Sequence, residues 1–512
     1  MSKLSGEIFA NPLVKEILKK TRTLWALGHA MSLMSWDLET YMPRKGIASR
    51  SAAFEELSAL ARRLLLDPEL VSLVERAQKA YDDLNDYEKG VVRVLSREIR
   101  IAKAIPEDLV RREAKVTSEA TVVWAEAKKE NNYSKFKPYL EEIVNIAREK
   151  AEKLGYEDHP YDALLDLYEE GLRTATVRGI FEVLVPATKR VLEKVRSSGF
   201  YPERHELEER KYDVDAARGL LRKLLDVLGW PWDRGRLDES PHPFTIEMGV
   251  HDVRITVRYE GVDIKRAVYS LVHEYGHALY ELQVDPRLEG TPIAGGASLG
   301  VHESQSRFWE NVVGRGPQFV ATLKRLLDDS IRYTRDYDLL EIYRYVNTVR
   351  PSLIRVDADE VTYNLHIYLR FNLELKLIEG RLTADDLPAA WDDAMEELLG
   401  VRPKSYSEGV LQDIHWSHGS IGYFPTYTLG NVIAAMLWRK LRGTLEKPGT
   451  VEVEELKRWL REEIHRWGKT YSPQELLVKV LGSAPDARAL VEYLEWKYIE
   501  LPNKIEEYLS SS

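Results

Sequence analysis

The pentapeptide His273-Glu274-Tyr275-Gly276-His277 constrains the fold more than any other stretch of this chain. Its two imidazoles can share one partner when the backbone between them is α-helical, since four residues make about one turn and bring both to the same face. The flanking residues agree. Leu271, Tyr275, Ala278, Leu279 and Leu282 fall at the i, i+4, i+7, i+8, i+11 spacing of one buried stripe, and Asp263 stands where an N-cap would open the helix.

Two histidines one turn apart can reach a single metal ion at about 2.0–2.1 Å. Glu274 would lie beside them, close to a water whose pKa zinc lowers toward about 7, and a carboxylate there can take its proton and hand it to a departing amine. The pattern therefore predicts peptide-bond hydrolysis, with His273 and His277 as ligands and Glu274 as general base and acid. The bland alternative is a coincidence of composition. The chain has no cysteine, which removes disulfides, thiol nucleophiles and Cys-based zinc sites and leaves His and carboxylates as the strong ligands.

A catalytic zinc usually takes three protein ligands. The extended pattern H-E-x-x-H-x-x-G-x-x-H is excluded, because Tyr280 and Gln283 stand where its Gly and second-turn His belong. The remaining common solution is a carboxylate from a later helix. The run from Gly300 to Val313 follows the loop 290–296 and stops at Gly314, and it offers Glu303 as that ligand. Its alternative role is an ordinary i, i+4 pair with Arg307.

Further motifs follow in order. His302-Glu303-Ser304-Gln305, Ile354-Arg355-Val356-Asp357-Ala358-Asp359-Glu360 and Gly409-Val410-Leu411-Gln412-Asp413-Ile414-His415-Trp416 resemble, together with the zinc helix, the thermostable carboxypeptidase Taq family, peptidase family M32. The likeness extends to Trp36-Asp37-Leu38-Glu39-Thr40-Tyr41-Met42-Pro43, Tyr161-Asp162-Ala163-Leu164-Leu165-Asp166, His242-Pro243-Phe244 and Asp252-Val253-Arg254-Ile255-Thr256, and so spans essentially the whole chain. The resemblance implies a metal-dependent carboxypeptidase that removes single residues with broad specificity from peptides with a free C-terminus. It implies one Zn2+ per chain at His273, His277 and Glu303, and a homodimer; a ligand set of two imidazoles and a carboxylate suits Co2+ as well, so Co2+ is the alternative metal. Arg355 then becomes a clamp for the substrate carboxylate, since a guanidinium fork meets a carboxylate bidentately; a structural bridge to Asp357 or Asp359 is the alternative. The segment 415–427 resembles a stretch of related groove-shaped zinc peptidases in which a His and a Tyr donate to the developing oxyanion. On that analogy His418 and Tyr427 are the first choices and Tyr423 and His415 the alternates, against a purely packing role. Asp359 and Glu360 are expected as outer partners of His277 or His273.

The clearest strands are predicted just before the zinc helix. Phe244, Ile246 and Met248 alternate with Thr245, Glu247 and Gly249, and Val253, Ile255 and Val257 alternate with Arg254, Thr256 and Arg258, with a turn at 249–252. This hairpin is either a surface feature or an edge to which an extended peptide adds as a strand. Helical spacing covers 11–35, 46–66, 87–104, 108–130, 135–154, 176–197 and 213–228, then 317–327, 339–349, 361–377, 385–399, 428–442, 453–467, 473–481 and 485–499. The expected fold is all-α with a small β-hairpin near the active site, a two-lobed helical body with a deep substrate groove. The expected organisation is a single catalytic domain, with an N-terminal helical part at about 1–240, a catalytic core at about 241–430 and C-terminal helices at about 431–512.

A net charge of −10 argues against a nucleic-acid footprint. No run approaches the roughly 18 apolar residues of a membrane span, and Met1–Glu7 lacks a signal-like apolar core, so a cytoplasmic protein is expected. Charged residues at 30%, absent cysteine and six glutamines form a pattern shared by heat-resistant proteins. Two other readings stand beside the carboxypeptidase: a zinc endo- or aminopeptidase of related fold, and a metal-free helical binding protein with a decayed site. An intact Glu274 speaks against decay.

Overall fold

The computed structural model describes residues 8–447, 449 and 451–510; Met1–Glu7, read above for a signal, lies outside them. Proline sets many helix starts, because its fixed φ suits the first turn and its missing N–H goes unneeded there: Pro12, Pro68, Pro160, Pro317, Pro425 and Pro473 all occupy the first turn of a helix. Reciprocal capping boxes open others, at Asn85 with Glu88 and at Asp338 with Glu341.

In order, the first half contains α1 (Pro12–Thr40), α2 (Ile47–Leu65), α3 (Pro68–Lys79), α4 (Asp86–Ala104), α5 (Glu107–Glu130), α6 (Tyr133–Leu154), α7 (Pro160–Tyr168), α8 (Thr174–Ser198) and α9 (Val214–Val227). Strands β1 (Gly235–Glu239), β2 (Thr245–Gly249) and β3 (Asp252–Val257) then lead into α10 (Ile264–Gln283) and α11 (Leu299–Arg307). The remainder is α12 (Pro317–Ser330), α13 (Leu339–Val346), α14 (Tyr363–Ile378), α15 (Leu387–Leu399), α16 (Pro425–Leu445), α17 (Val453–Glu463), α18 (Pro473–Leu481), α19 (Ala487–Glu495) and α20 (Ile505–Leu509). The fold is mainly helical with one small sheet, as expected.

The sheet differs from the expected hairpin by one strand. β2 pairs antiparallel with β3, while β1 adds parallel to the other side of β3, giving the order β1-β3-β2. β1 reads Gly-Arg-Leu-Asp-Glu, with too few apolar residues to show a period, and its pairing is supplied by tertiary contact. Asp263 occupies the N-cap position of α10 but makes no cap hydrogen bond; it adopts φ 55°, and its carboxylate accepts from the Tyr345 hydroxyl. One large apolar cluster runs from Ala120 to Tyr508, and a second ties α1, α3 and α4 to Val250, Val284, Leu288 and Ile293. Helix α1 also packs on β2.

Candidate active site

Helices α10, α11 and α16 meet at glycine. A Cβ on Gly276 would lie 2.5 Å from the Gln305 carbonyl oxygen, and one on Gly430 would lie 2.5 Å from Cγ of Glu303. Glycine at these two positions lets α11 cross α10 and lets α16 press against α11, which drives Glu303 toward the histidines. The Gly of the pentapeptide is thus part of how the site is assembled.

His273, His277 and Glu303 offer ligand atoms that all lie within 4.8 Å of one another. The Nε2 atoms of His277 and His273 are 3.2 Å and 3.6 Å from Glu303 Oε2. Burial would push the Glu303 carboxyl up, but Arg307 and the two imidazoles hold it well below its usual range. Burial drives His277 down to about 4, while His273, which burial would also lower, is raised by the carboxylates of Glu303 and Glu310 that share its proton. A charged carboxylate and an imidazole kept neutral are what a divalent cation requires of its ligands. The donor set therefore fits the metal that the pentapeptide predicts.

Each ligand is held from behind. His273 Nδ1 lies 2.9 Å from Glu310 Oε2, and His277 Nδ1 lies 2.6 Å from His302 Nδ1. His302 in turn places Nε2 2.7 Å from Glu281 Oε1, which also accepts from the Gly296 amide. With Nε2 of His277 facing the ligand cluster, its Nδ1–H donates to His302, whose Nε2–H donates to Glu281. Glu303 accepts from Arg307 Nε at 2.7 Å and from the Ser306 hydroxyl at 2.9 Å. The pair with Arg307 therefore exists alongside the convergence on the histidines. Glu274 is buried, accepts from the Thr245 hydroxyl of β2 at 2.7 Å, and has its pKa raised by that burial.

The expected outer partners are displaced. Asp359 accepts from the amides of Arg350, Val361 and Thr362, and Glu360 pairs with Lys497 and Tyr498. Glu310 and His302 take their place. Glu281 was legible as i+4 from His277 and Glu310 as i+7 from Glu303, but a π-helical turn over Phe308–Val313 disturbs the period that would have flagged the latter.

Arg355 is 6% exposed and does not bridge to Asp357 or Asp359. Its Nε and Nη2 donate to Asp413 at 3.0 and 2.9 Å, and Nη1 donates to the Tyr363 hydroxyl at 3.0 Å. Arg370 donates to the other Asp413 oxygen at 2.6 Å, so two guanidinium groups share one carboxylate. Arg355 also lies over the Tyr427 ring at 5.1 Å. His415 Nε2 is 3.1 Å from the Tyr427 hydroxyl, and the Tyr423 and Tyr427 rings are 5.4 Å apart. Arg355, His415, Tyr423 and Tyr427 thus form one cluster. Tyr427 sits on α16, which begins at Pro425, three residues before the predicted start. His418, a first choice from sequence, is exposed at the end of the 3-10 turn His415–His418. Burial lowers the pKa of His415 to about 3, which keeps its imidazole neutral. Arg307 joins this cluster to the ligands: it grips Glu303 and lies 4.5 Å over the Tyr363 ring.

Comparison with known proteins gives the family and the fold. The family described as carboxypeptidase Taq (M32) metallopeptidase matches residues 16–498. The chain is 51% identical over 498 residues to thermostable carboxypeptidase 1 of Pyrococcus furiosus, covering 96% of this chain and 100% of that one. It is 40% identical over 502 residues to thermostable carboxypeptidase 1 of Thermus thermophilus, covering 95% and 98%. Its fold is similar to the solved M32 carboxypeptidase of Deinococcus radiodurans, with a TM-score of 0.91 at 34% identity over 96% of this chain and all of that chain.

Proposed function

Since this chain belongs to the carboxypeptidase Taq (M32) metallopeptidase family and is a metal-dependent carboxypeptidase, we propose that it holds one zinc ion at His273, His277 and Glu303 and releases single residues with broad specificity from free peptide C-termini. Cobalt can take the same place, because two imidazoles and a carboxylate suit both ions. The observation that carries this reading is the convergence of three ligand atoms within 4.8 Å beside Glu274. A divalent ion there supplies Lewis acidity toward the scissile carbonyl and the attacking water.

The chain supplies the remaining functions. Glu274, steadied by Thr245, takes a proton from the attacking water and delivers it to the departing amine nitrogen. Tyr427 and Tyr423 donate to the carbonyl oxygen as charge develops on it, with His415 orienting the Tyr427 hydroxyl. Arg355, whose charge Asp413 shares with Arg370, takes the terminal carboxylate and so fixes which bond meets Glu274. We read the chain as one domain whose two lobes flank a substrate groove along the β2 edge. We further propose a homodimer, a cytoplasmic location and heat resistance; sedimentation, cell fractionation and a melting curve test them.

The deciding experiment is a mass-spectrometric time course on a free-acid peptide and its C-terminal amide, with and without chelator and with Glu274→Gln. Stepwise loss of C-terminal residues from the free acid alone, stopped by the chelator and by Glu274→Gln, is the expected result. Retained activity in Glu274→Gln removes the base assignment, and equal cleavage of the amide removes the carboxylate clamp.

A further inference from the structure

Strand β2 is an edge strand of the sheet, and the alternation of the sheet identifies which residues it presents on its unpaired side. The Phe244 carbonyl accepts from Thr256 N–H at 2.9 Å, whereas Val253 N–H donates to Arg234 beside β1. In an antiparallel pair inward and outward backbone groups alternate residue by residue. Thr245 and Glu247 therefore direct their N–H and C=O away from β3, toward the free edge. A register shift between Glu247 and Gly249 breaks the alternation at the next residue, where His29 Nδ1 lies 2.6 Å from the Met248 carbonyl, so α1 closes the edge just beyond Glu247.

Thr245 fixes the position of the chemistry along this edge, because its hydroxyl contacts both the carboxylate and the carbonyl of Glu274. Glu247 lies two residues, about 7 Å, further along and projects to the same face. The charges facing it are Glu281, His302 and Lys469. Glu281 and His302 stand behind His277, at the far end of a chain of contacts that runs through His277 and Glu303 to Arg307, Tyr363 and Arg355. Moving from Thr245 to Glu247 thus moves away from the carboxylate clamp, in the direction that the body of a C-terminally anchored peptide must take. Glu247 is exposed, and Glu281 is already engaged by His302 and the Gly296 amide.

We propose that Glu247 is a specificity-determining residue: a substrate strand pairs with Thr245 and Glu247, and the Glu247 carboxylate selects lysine or arginine two positions upstream of the residue facing Thr245. A cross-strand neighbour on the same face sits about 5 Å away, within reach of a long cationic side chain. This inference rests on the carboxypeptidase reading and on β2 as the edge that the peptide joins.

The test uses the metal-loaded full chain and a set of alanine-rich free-acid hexapeptides carrying Lys, Ala or Glu at each of the second, third and fourth positions upstream of the scissile bond. At one of these positions the wild type is expected to favour Lys over Glu by about fivefold to tenfold in kcat/KM. Glu247→Gln should bring that ratio near one, and Glu247→Lys should invert it. Each ratio is internal to one protein, so a general loss of rate does not enter it. Release with no Lys-over-Glu preference at any position in the wild type overturns the proposal and leaves the carboxypeptidase reading intact, as does a preference that survives Glu247→Lys. Failure to release C-terminal residues even from the all-alanine peptide would instead overturn the reading beneath it.

Discussion

The two ends of the site carry opposite surpluses of charge. Around the histidines, Glu274, Glu303 and Glu310 face Arg307 and Arg315, so carboxylates outnumber guanidinium groups. Around Asp413 the balance reverses, with Arg355 and Arg370 sharing a single carboxylate. A buried site tolerates an unbalanced charge poorly unless something compensates it. The first end is suited to a cation and the second to an anion, and Arg307 stacked on Tyr363 ties the two together. On the function proposed above, a peptide whose carboxylate completes the second end would present its last amide bond to the first.

Removing the ligand carboxylate attacks the first end most directly. Glu303→Ala is expected to lose metal by about a thousandfold in affinity and activity with it, since the two imidazoles remain without their anionic partner; full metal content by elemental analysis would move the third ligand elsewhere. At the second end, Arg355→Ala should lower kcat/KM on free-acid peptides by about a hundredfold while metal content stays at one per chain, since a bidentate charge-assisted contact is lost. Arg370 continues to satisfy Asp413 in that variant, so folding should survive. Equal losses on free and amidated peptides would show that Arg355 only supports the loop.

The two ends also differ in how far the sequence revealed them. His273, Glu274 and His277 share one helical period, so local spacing brings their side chains together, whereas Glu303 stands on the next helix and reaches them through the close approach at Gly276 and Gly430. The second end draws Arg355, Tyr363, Arg370, Asp413, His415 and Tyr427 from several separate segments, and no period relates them. Ordered motifs singled out Arg355 and the 415–427 segment, but that His415 packs against Tyr427 while His418 is exposed, and that Arg355 meets Asp413, depend on tertiary packing. The same limit hid Glu310, which lies within a π turn, and strand β1, which exists by virtue of β3.

The groups behind the histidines give the finest test of the comparison, because they differ in distance from the ligand cluster. Glu310 touches His273 directly, so Glu310→Gln should weaken metal binding by about tenfold to a hundredfold, measured by competition with a chromogenic chelator. Glu281 acts one residue further back, through His302 to His277, and also holds the Gly296 amide. A glutamine there keeps an oxygen that can accept from His302 and loses only the charge. Glu281→Gln should therefore shift metal affinity by a few-fold, less than Glu310→Gln, with the free-acid preference unchanged. If Glu281→Gln instead costs as much metal affinity as Glu310→Gln, the negative charge behind His302 stabilises the ion itself, and the surplus at this end extends one residue deeper than the direct contacts show.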